Sequence, residues 1–392
     1  MTGRPTAGHG GGPGKPKPPA ILIVLRSLEV GGSQRQAFLL ARELHASHGA
    51  RVAVWTLERG GALAAELAAA GISCENRPAL SGRRGLGKIP ALLALTVAIR
   101  RWRPDAILSF NDFPNKVCGA VWPWTGAKVC VWNQRDEGRE VTGRLLERQA
   151  LRRVRVFTAN SSQGADFLQK RFGIPGSRIH LVPNGVQLAP PKRTREQWRA
   201  ALELTEQALV VTMVANLHRY KDHRTLLEAW AQVKAQSRGD AHLVLAGRPG
   251  DTAEPLQDLC RRRHLEASVH FIGLTDDVAG LLAASDISAF SSRLEGMPNA
   301  VLESMAAGLP VVATRIAGSE EALGADYPLL VPAGDAQALA GALGALIDDG
   351  ALRRRLGQRN QERARSEFSV ARLGQRYTDL LLGYLPSSHE RR

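Results

Sequence analysis

Residues 20–25, AILIVL, form an unbroken apolar run between two prolines and Arg26, the pattern of a strand buried on both faces. From Ser33 to Ser47 the period changes, with Ala37, Leu40, Ala41 and Leu44 at helical spacing. RVAVWTL (51–57) predicts a strand, LAAELAAAG a short helix closed by Gly71, IPALLALTVAIRRW (89–102) a helix, and DAILSF (105–110) a strand. KVCVW (128–132), RVFTAN (155–160) and RIHLVPN (178–184) predict further strands with helical stretches between them. Such alternation implies a parallel sheet covered by helices on both faces.

The alternation then pauses and restarts. The turn Pro183-Asn184-Gly185 leads to Pro190-Pro191-Lys192, which reads as a domain boundary. Beyond it, ALVVTMVAN (208–216), AHLVLAG (241–247), SVHFIG (268–273), DISAFS (286–291), LPVVATR (309–315) and YPLLVP (327–332) predict strands. Helices are expected near 222–237, 255–264, 275–284, 298–307 and 335–348, and 350–383 is mainly helical. The expected fold class is α/β, with Rossmann-like domains over 20–190 and 191–365 and a C-terminal helix and tail over 366–392. Two such units face each other across a cleft at the carboxyl ends of their strands. Residues 1–19 hold six Gly, five Pro and no acid, and are expected to be a disordered tail.

Charge divides the chain in the same place. The net charge is +15 over 392 residues. Residues 1–190 carry 27 Lys/Arg against 12 Asp/Glu, and residues 191–392 carry 25 of each, so the whole excess lies in the first half. The longest uncharged run, Ile179 to Pro191, is thirteen residues with three prolines, so no transmembrane helix is expected. The N-terminus has no apolar stretch of signal-peptide type. Cys74, Cys118, Cys130 and Cys260 show no metal-ligand spacing and read as reduced thiols of a cytoplasmic protein. A basic chain suits a nucleic-acid binder, but aromatics are 5% with no stacking cluster, so nucleic acid is not an expected partner.

Two places carry candidate chemistry. Gly31-Gly32-Ser33 lies between strand and helix, where backbone amides can approach a phosphate; the spacing is not the dinucleotide fingerprint, and a plain turn explains it as well. Glu295-Gly296-Met297-Pro298-Asn299-Ala300-Val301-Leu302-Glu303 follows a strand and opens a helix, with Pro298 suited to the first helical turn. Its two carboxylates can accept paired hydrogen bonds from sugar or ribose hydroxyls, and its free amides can meet hydroxyls or phosphate oxygens. A helix-terminal Glu followed by a surface Glu is the bland alternative.

SRLEGMPNAVLESMAAGLPVVAT resembles the Glu-x7-Glu signature of the family 4 (group 1) retaining glycosyltransferases of GT-B fold. LEVGGSQRQAFLLARELHASHG, NSSQGADFLQKRFGIPGSRIHLVPNGV, VANLHRYKDHRTLLEAW and HFIGLTDDVAGLLAASDISAFSS resemble other segments of that family in the same order, so the likeness covers nearly all but the tail. The resemblance implies a nucleoside-diphosphate-sugar donor and an acceptor taken by the N-terminal domain. It also implies that Glu303 binds the ribose diol and that Glu295 contacts the transferred sugar. Gly296, Met297, Pro298 and Asn299 would offer backbone contacts to that sugar, Ala300 would belong to the donor site, and Lys221, Gly31 and Gly32 would hold the diphosphate. The base would be read at Gly273 and Leu274. No metal is expected, because a lysine and backbone amides can stabilise the leaving diphosphate. The family's mechanism needs no protein nucleophile, so neither Glu295 nor Asp112 is given that role.

Two departures stand out. Asn216 occupies the place of the family's usual arginine, with Arg219 as a possible substitute. The loop after the fourth strand lacks the usual histidine, leaving Asn111 or Asp112 to face the sugar. A catalytically impaired sugar-nucleotide-binding protein therefore stays open, as does a sugar-nucleotide epimerase of the same architecture. Candidate catalytic residues are Glu295, Lys221, Asn111 and Asp112.

Residues 77–103 hold seven Lys/Arg and no acid. Within them, Ile89, Leu92, Leu93, Thr96, Ile99 and Trp102 form a stripe expected to pack a helix on the sheet. The loop with Arg83, Arg84 and Lys88 suits an anionic membrane or a lipid diphosphate. Arg135, at the end of the fifth strand, is expected on the acceptor side. The expected acceptor is therefore lipid-linked or saccharide, met at the inner face of a membrane during synthesis of polysaccharide, lipopolysaccharide or glycolipid.

Overall fold

The computed structural model describes residues 18–29, 31–77, 88–135, 145–236 and 239–385. The expected tail lies outside these residues up to 17, as do Arg83 and Arg84. The first domain holds seven parallel strands: β1 (Ala20–Leu25), β2 (Arg51–Thr56), β3 (Ser73–Asn76), β4 (Ala106–Phe110), β5 (Val129–Gln134), β6 (Val156–Ala159) and β7 (Ile179–Leu181). Their order is β3-β2-β1-β4-β5-β6-β7. The second holds β8 (Leu209–Val214), β9 (Ala241–Ala246), β10 (Val269–Gly273), β11 (Ile287–Phe290), β12 (Val311–Thr314) and β13 (Leu330–Val331), in the order β10-β9-β8-β11-β12-β13. Both are doubly wound, as the alternation predicts.

The apolar run of β1 shows how each sheet acquires two cores. Ile21, Ile23 and Leu25 point to the face covered by helix Gly32–Ala46. Leu22 and Val24 point to the face covered by helices Lys88–Trp102 and Asp112–Val121. On a strand buried from both sides, alternating side chains favour an apolar residue at every position. β3, with the sequence SCEN, has no apolar pattern and escaped prediction; it forms as the edge strand because Ala53 to Thr56 of β2 offer it free backbone groups.

Chain order reverses between β1 and β4 in one sheet and between β8 and β11 in the other. At such a switch point the connections leave in opposite directions and open a crevice at the strands' carboxyl ends. The segments after β1, β4, β8 and β11 are those that carry Gly31-Gly32, Asn111-Asp112, Lys221 and Glu295.

The C-terminal segment crosses back. Val186 and Ser369 form an isolated bridge, and helix Val370–Leu382 places Leu373, Tyr377, Leu380 and Leu381 in the first domain's core. The Tyr377 hydroxyl donates to Asn133 Oδ1 at the end of β5.

Helix Lys88–Trp102 corrects the expected stripe. Ala91, Leu95 and Ile99 face the core, with Leu92 and Trp102 at the margin. Ile89, Leu93 and Val97 are 50%, 61% and 48% exposed. Each triplet has i, i+4, i+8 spacing, and an offset of two residues puts them on opposite faces, so only one can meet the sheet.

Candidate active site

The turn after β8 is built around Lys221. Residues Arg219–Lys221 form one turn of 3₁₀ helix, and Asp222 follows with φ 52°, a left-handed conformation that a short polar side chain tolerates. Asp222 caps helix His223–Ala235, accepting from the Thr225 hydroxyl at 2.8 Å. The loop after β11 clamps this turn. Arg293 Nε donates to Asp222 Oδ2 at 2.7 Å, Ser291 Oγ donates to the Lys221 and Asp222 carbonyls at 3.1 Å, and Ser292 Oγ donates to the Tyr220 carbonyl at 3.0 Å. The result is an ion pair between Lys221 Nζ and Glu295 Oε1, largely shielded from solvent. His223, buried behind the turn, is pushed down to about 4 by burial and then by the charge of Lys221, so it is neutral at neutral pH.

Glu303 lies in the second turn of helix Asn299–Ala306, which starts one residue later than expected because Pro298 is its N-cap in an extended conformation. Burial pushes the Glu303 carboxyl up to about 7, while Arg35, from the first turn of helix Gly32–Ala46 in the other domain, pulls it down. It is therefore not an ordinary surface glutamate.

The Glu295–Asn299 segment is also where the domains meet. Asn299 Nδ2 donates to the Gly32 carbonyl at 3.1 Å, and Asn299 Oδ1 accepts from Gln36 Nε2 at 3.1 Å and Asn184 Nδ2 at 2.7 Å. Asn184 Nδ2 also donates to the Met297 carbonyl at 3.0 Å. Gly296 packs so closely that a Cβ there would lie 2.7 Å from Asn160 Oδ1, and a Cβ on Gly318 would lie 1.8 Å from the Gly296 carbonyl oxygen. Side chains at these two positions would push the segment out of the cleft.

On the opposite wall, Gly31 caps helix Gly32–Ala46 without a side-chain bond, so the first-turn amides face the cleft beside Asn299. Asn111 has φ 70° and ψ 169°, a region that costs a non-glycine residue about 1–3 kcal/mol. That strain sits at the switch point. Asp112 is bonded to Lys116 Nζ at 2.6 Å, which also meets the buried Glu147 at 3.1 Å, so of the two loop residues Asn111 has the side chain less committed to the helix. Arg135 is buried at the end of β5, and Nη2 donates to Asn184 Oδ1 at 2.8 Å.

Some expected residues stand apart. Asn216 Oδ1 accepts from the Arg248 amide at 3.0 Å, so it holds the loop after β9, and Arg219 is exposed. Gly273 ends β10 at the sheet's edge with the exposed Leu274 after it, and Lys88 is the first residue of its helix, which follows the other sheet's edge strand β3. Gln36, Asn184, Asn160, Ser291, Ser292 and Arg293 are residues of the site that no motif or spacing had singled out. The only local signal was that Ser291-Ser292-Arg293 lies between a strand end and the first glutamate.

Among the described residues no group of three or more His, Cys, Asp or Glu is placed to hold a metal, and no helix is long and apolar enough to cross a membrane. The chain matches the family described as Glycosyltransferase Family 4 over residues 30–189 and the one described as Glycosyl transferases group 1 over residues 194–363. It is 29% identical over 187 residues to the N-acetyl-alpha-D-glucosaminyl L-malate synthase of Bacillus anthracis (47% of this chain, 48% of the relative). It is 33% identical over 184 residues to the lipopolysaccharide core biosynthesis glycosyltransferase LpsE of Rhizobium meliloti (47% of this chain, 52% of the relative). In both cases the chain spans about half the relative's length. Anabaena HepE, solved with UDP and glucose, superposes with a TM-score of 0.79 at 21% identity, covering 93% of this chain and 99% of that one. Two doubly wound domains, with an ion-paired lysine and glutamate and a second glutamate in the crevice, are thus joined to family matches over both halves: the chain belongs to the family 4, group 1 glycosyltransferases and has the GT-B fold.

Proposed function

We propose that this chain is a retaining glycosyltransferase that moves a sugar from a nucleoside-diphosphate sugar to an acceptor hydroxyl, without a metal. The observation that carries this is the Lys221–Glu295 pair at one switch point, at the start of the segment whose Asn299 bonds the Gly32 carbonyl at the open helix terminus of the other domain. In this reading the diphosphate lies between Lys221 and the glycine-turn amides, which stabilise the charge that grows as the glycosidic bond breaks. Glu295 then turns to the sugar's hydroxyls, Glu303 accepts from the ribose diol, and Asn111 faces the sugar in place of a histidine. The acceptor hydroxyl attacks on the face the diphosphate leaves and passes its proton to a phosphate oxygen, so no side chain acts as nucleophile. A thermal-shift panel of UDP, GDP, ADP and their sugars, each with and without EDTA, tests donor binding. One nucleotide is expected to stabilise the fold by about 2.7 kcal/mol at a hundredfold excess over its dissociation constant, unchanged by EDTA. Silence across the whole panel would remove the reading, and NMR of the product's anomeric configuration decides retention.

The relatives' names, LpsE and a synthase that joins a sugar to L-malate, support an acceptor of the cell envelope or one that is itself anionic. The exposed stripe Ile89, Leu93 and Val97 lies near Trp124, which is 55% exposed, with Arg100 and Arg153 alongside. Apolar side chains among arginines on the acceptor domain suit peripheral contact with an anionic membrane at its cytoplasmic face. The chain is expected to sediment with phosphatidylglycerol vesicles at low salt, and Leu93→Glu with Val97→Glu to weaken this at least tenfold. Equal sedimentation with neutral vesicles, or none, would end the membrane contact.

A further inference from the structure

We infer that Arg135 is the counter-ion for an anionic group, a phosphate or a carboxylate, carried by the sugar acceptor. This rests on the glycosyl-transfer reading above and specifies the acceptor's chemistry. Arg135 is 8% exposed, and its Nε and Nη1 are buried without a hydrogen-bond partner. Its polar side-chain contact is with a neutral amide oxygen, Asn184 Oδ1, and its guanidinium lies 5.3 Å from the centre of the Phe110 ring. Among the described residues no carboxylate pairs with it. Burial lowers its pKa, but a guanidinium stays charged at any physiological pH.

Another buried arginine shows what a structural role looks like here. Arg199, 1% exposed, donates through Nη1 to the carbonyls of Thr205, Glu206 and Ala208 at 2.8–3.0 Å and through Nη2 to Asp286 at 2.9 Å, leaving only Nε unpaired. Among the described residues, the Arg135 side chain has one hydrogen bond and no counter-charge. A buried charge left so is costly to the fold, and such groups persist where a ligand supplies the missing charge.

Position selects the acceptor over the donor diphosphate. Arg135 follows β5, and β4 lies between β5 and β1. Neighbouring strands are about 4.8 Å apart, so the end of β5 is about 10 Å, two strands, from the glycine turn after β1. The β4 end between them carries Asn111, where the transferred sugar is placed. Gly296 of the other domain packs on the Arg135 carbonyl, and Asn160, whose Oδ1 also lacks a partner, lies beside both. The guanidinium therefore lies where the two domains meet, on the first domain's side of the cleft.

The test uses the full chain and reads thermal shifts with inorganic phosphate, glucuronate and glucose, for the parent, Arg135→Met, Arg135→Lys and Lys221→Ala. Phosphate and glucuronate, but not glucose, are expected to stabilise the parent and Lys221→Ala alike. Arg135→Met should bind both anions at least tenfold more weakly, respond to nucleoside diphosphates within threefold of the parent, and melt no lower, since an apolar side chain relieves the unpaired charge. Arg135→Lys should retain part of the anion response. An Arg135→Met protein that melts several degrees lower with its anion response intact would make Arg135 a structural residue and overturn the proposal. So would an anion response that vanishes in Lys221→Ala or under saturating nucleotide, because the ligand would then be the diphosphate. The anion arms need no nucleotide, so a nucleotide panel without response refutes the transferase reading separately.

Discussion

Lys221→Ala is expected to lower kcat for sugar transfer by a factor of about a hundred to a thousand, the range for removing one preorganised donor from a developing anion. Two effects act together. The leaving diphosphate loses its cationic partner. Glu295, which sits against Lys221 in the unliganded site, also loses its counter-ion and meets the diphosphate as a like charge. The second effect makes the pair non-additive. In Glu295→Gln the carboxylate is gone, so adding Lys221→Ala should cost less than it does in the parent. Steady-state kinetics of the four proteins forms the double-mutant cycle. Transfer by Lys221→Ala within threefold of the parent would show that the turn after β8 does not hold the diphosphate.

A second large effect is expected at Glu303. Its carboxyl is pushed up to about 7 by burial, against the pull of Arg35. A ribose diol needs the ionised form, which accepts from both hydroxyls. Affinity for a sugar nucleotide, whose diphosphate does not titrate near neutrality, should therefore fall as pH drops below 7, to about thirtyfold weaker at pH 5.5 than at pH 8.5. Glu303→Gln should bind weakly at every pH and lose this dependence. Stability should move the other way. The folded pKa lies above the unfolded value, so the folded state holds its proton more tightly. The contribution is complete below about pH 4.5 and is lost as pH rises through 7. Glu303→Gln should match the parent near pH 4.5 and exceed it at pH 8 by about 2–3 kcal/mol, measured by denaturant unfolding. Parallel stability curves at the two pH values would show that the carboxyl is not raised.

The strands were legible wherever burial on both faces wrote an apolar run, as in AILIVL and LVVTMV. β3 was not, because an edge strand of SCEN is held by backbone pairing that side-chain pattern does not report. Helix Lys88–Trp102 was placed correctly and its expected stripe was right at Ile99, Leu92 and Trp102 but wrong at Ile89 and Leu93. Two apolar ridges on one helix are equivalent in sequence, and only the neighbouring sheet selects one. The glycine turn and the two glutamates were named from local pattern and resemblance. Asn299 was named with them as a contact to the sugar, but its bridging partners Gln36 and Asn184 are polar residues with no distinctive spacing, Gln36 lying 263 positions away.

By itself the sequence determined that there are two alternating αβ units and that the first half carries all the excess charge. These properties follow from period and composition, which act over a few residues. The tertiary structure decided which charges are paired. Lys221 and Glu295, 74 positions apart, neutralise each other, and Asp112 is taken by Lys116. Arg135, one of 27 basic residues in its half, is buried in the cleft wall and, among the described residues, has no carboxylate beside it. Pairing depends on distances of a few ångströms in a low-dielectric interior, and those distances are set by how the two sheets face each other.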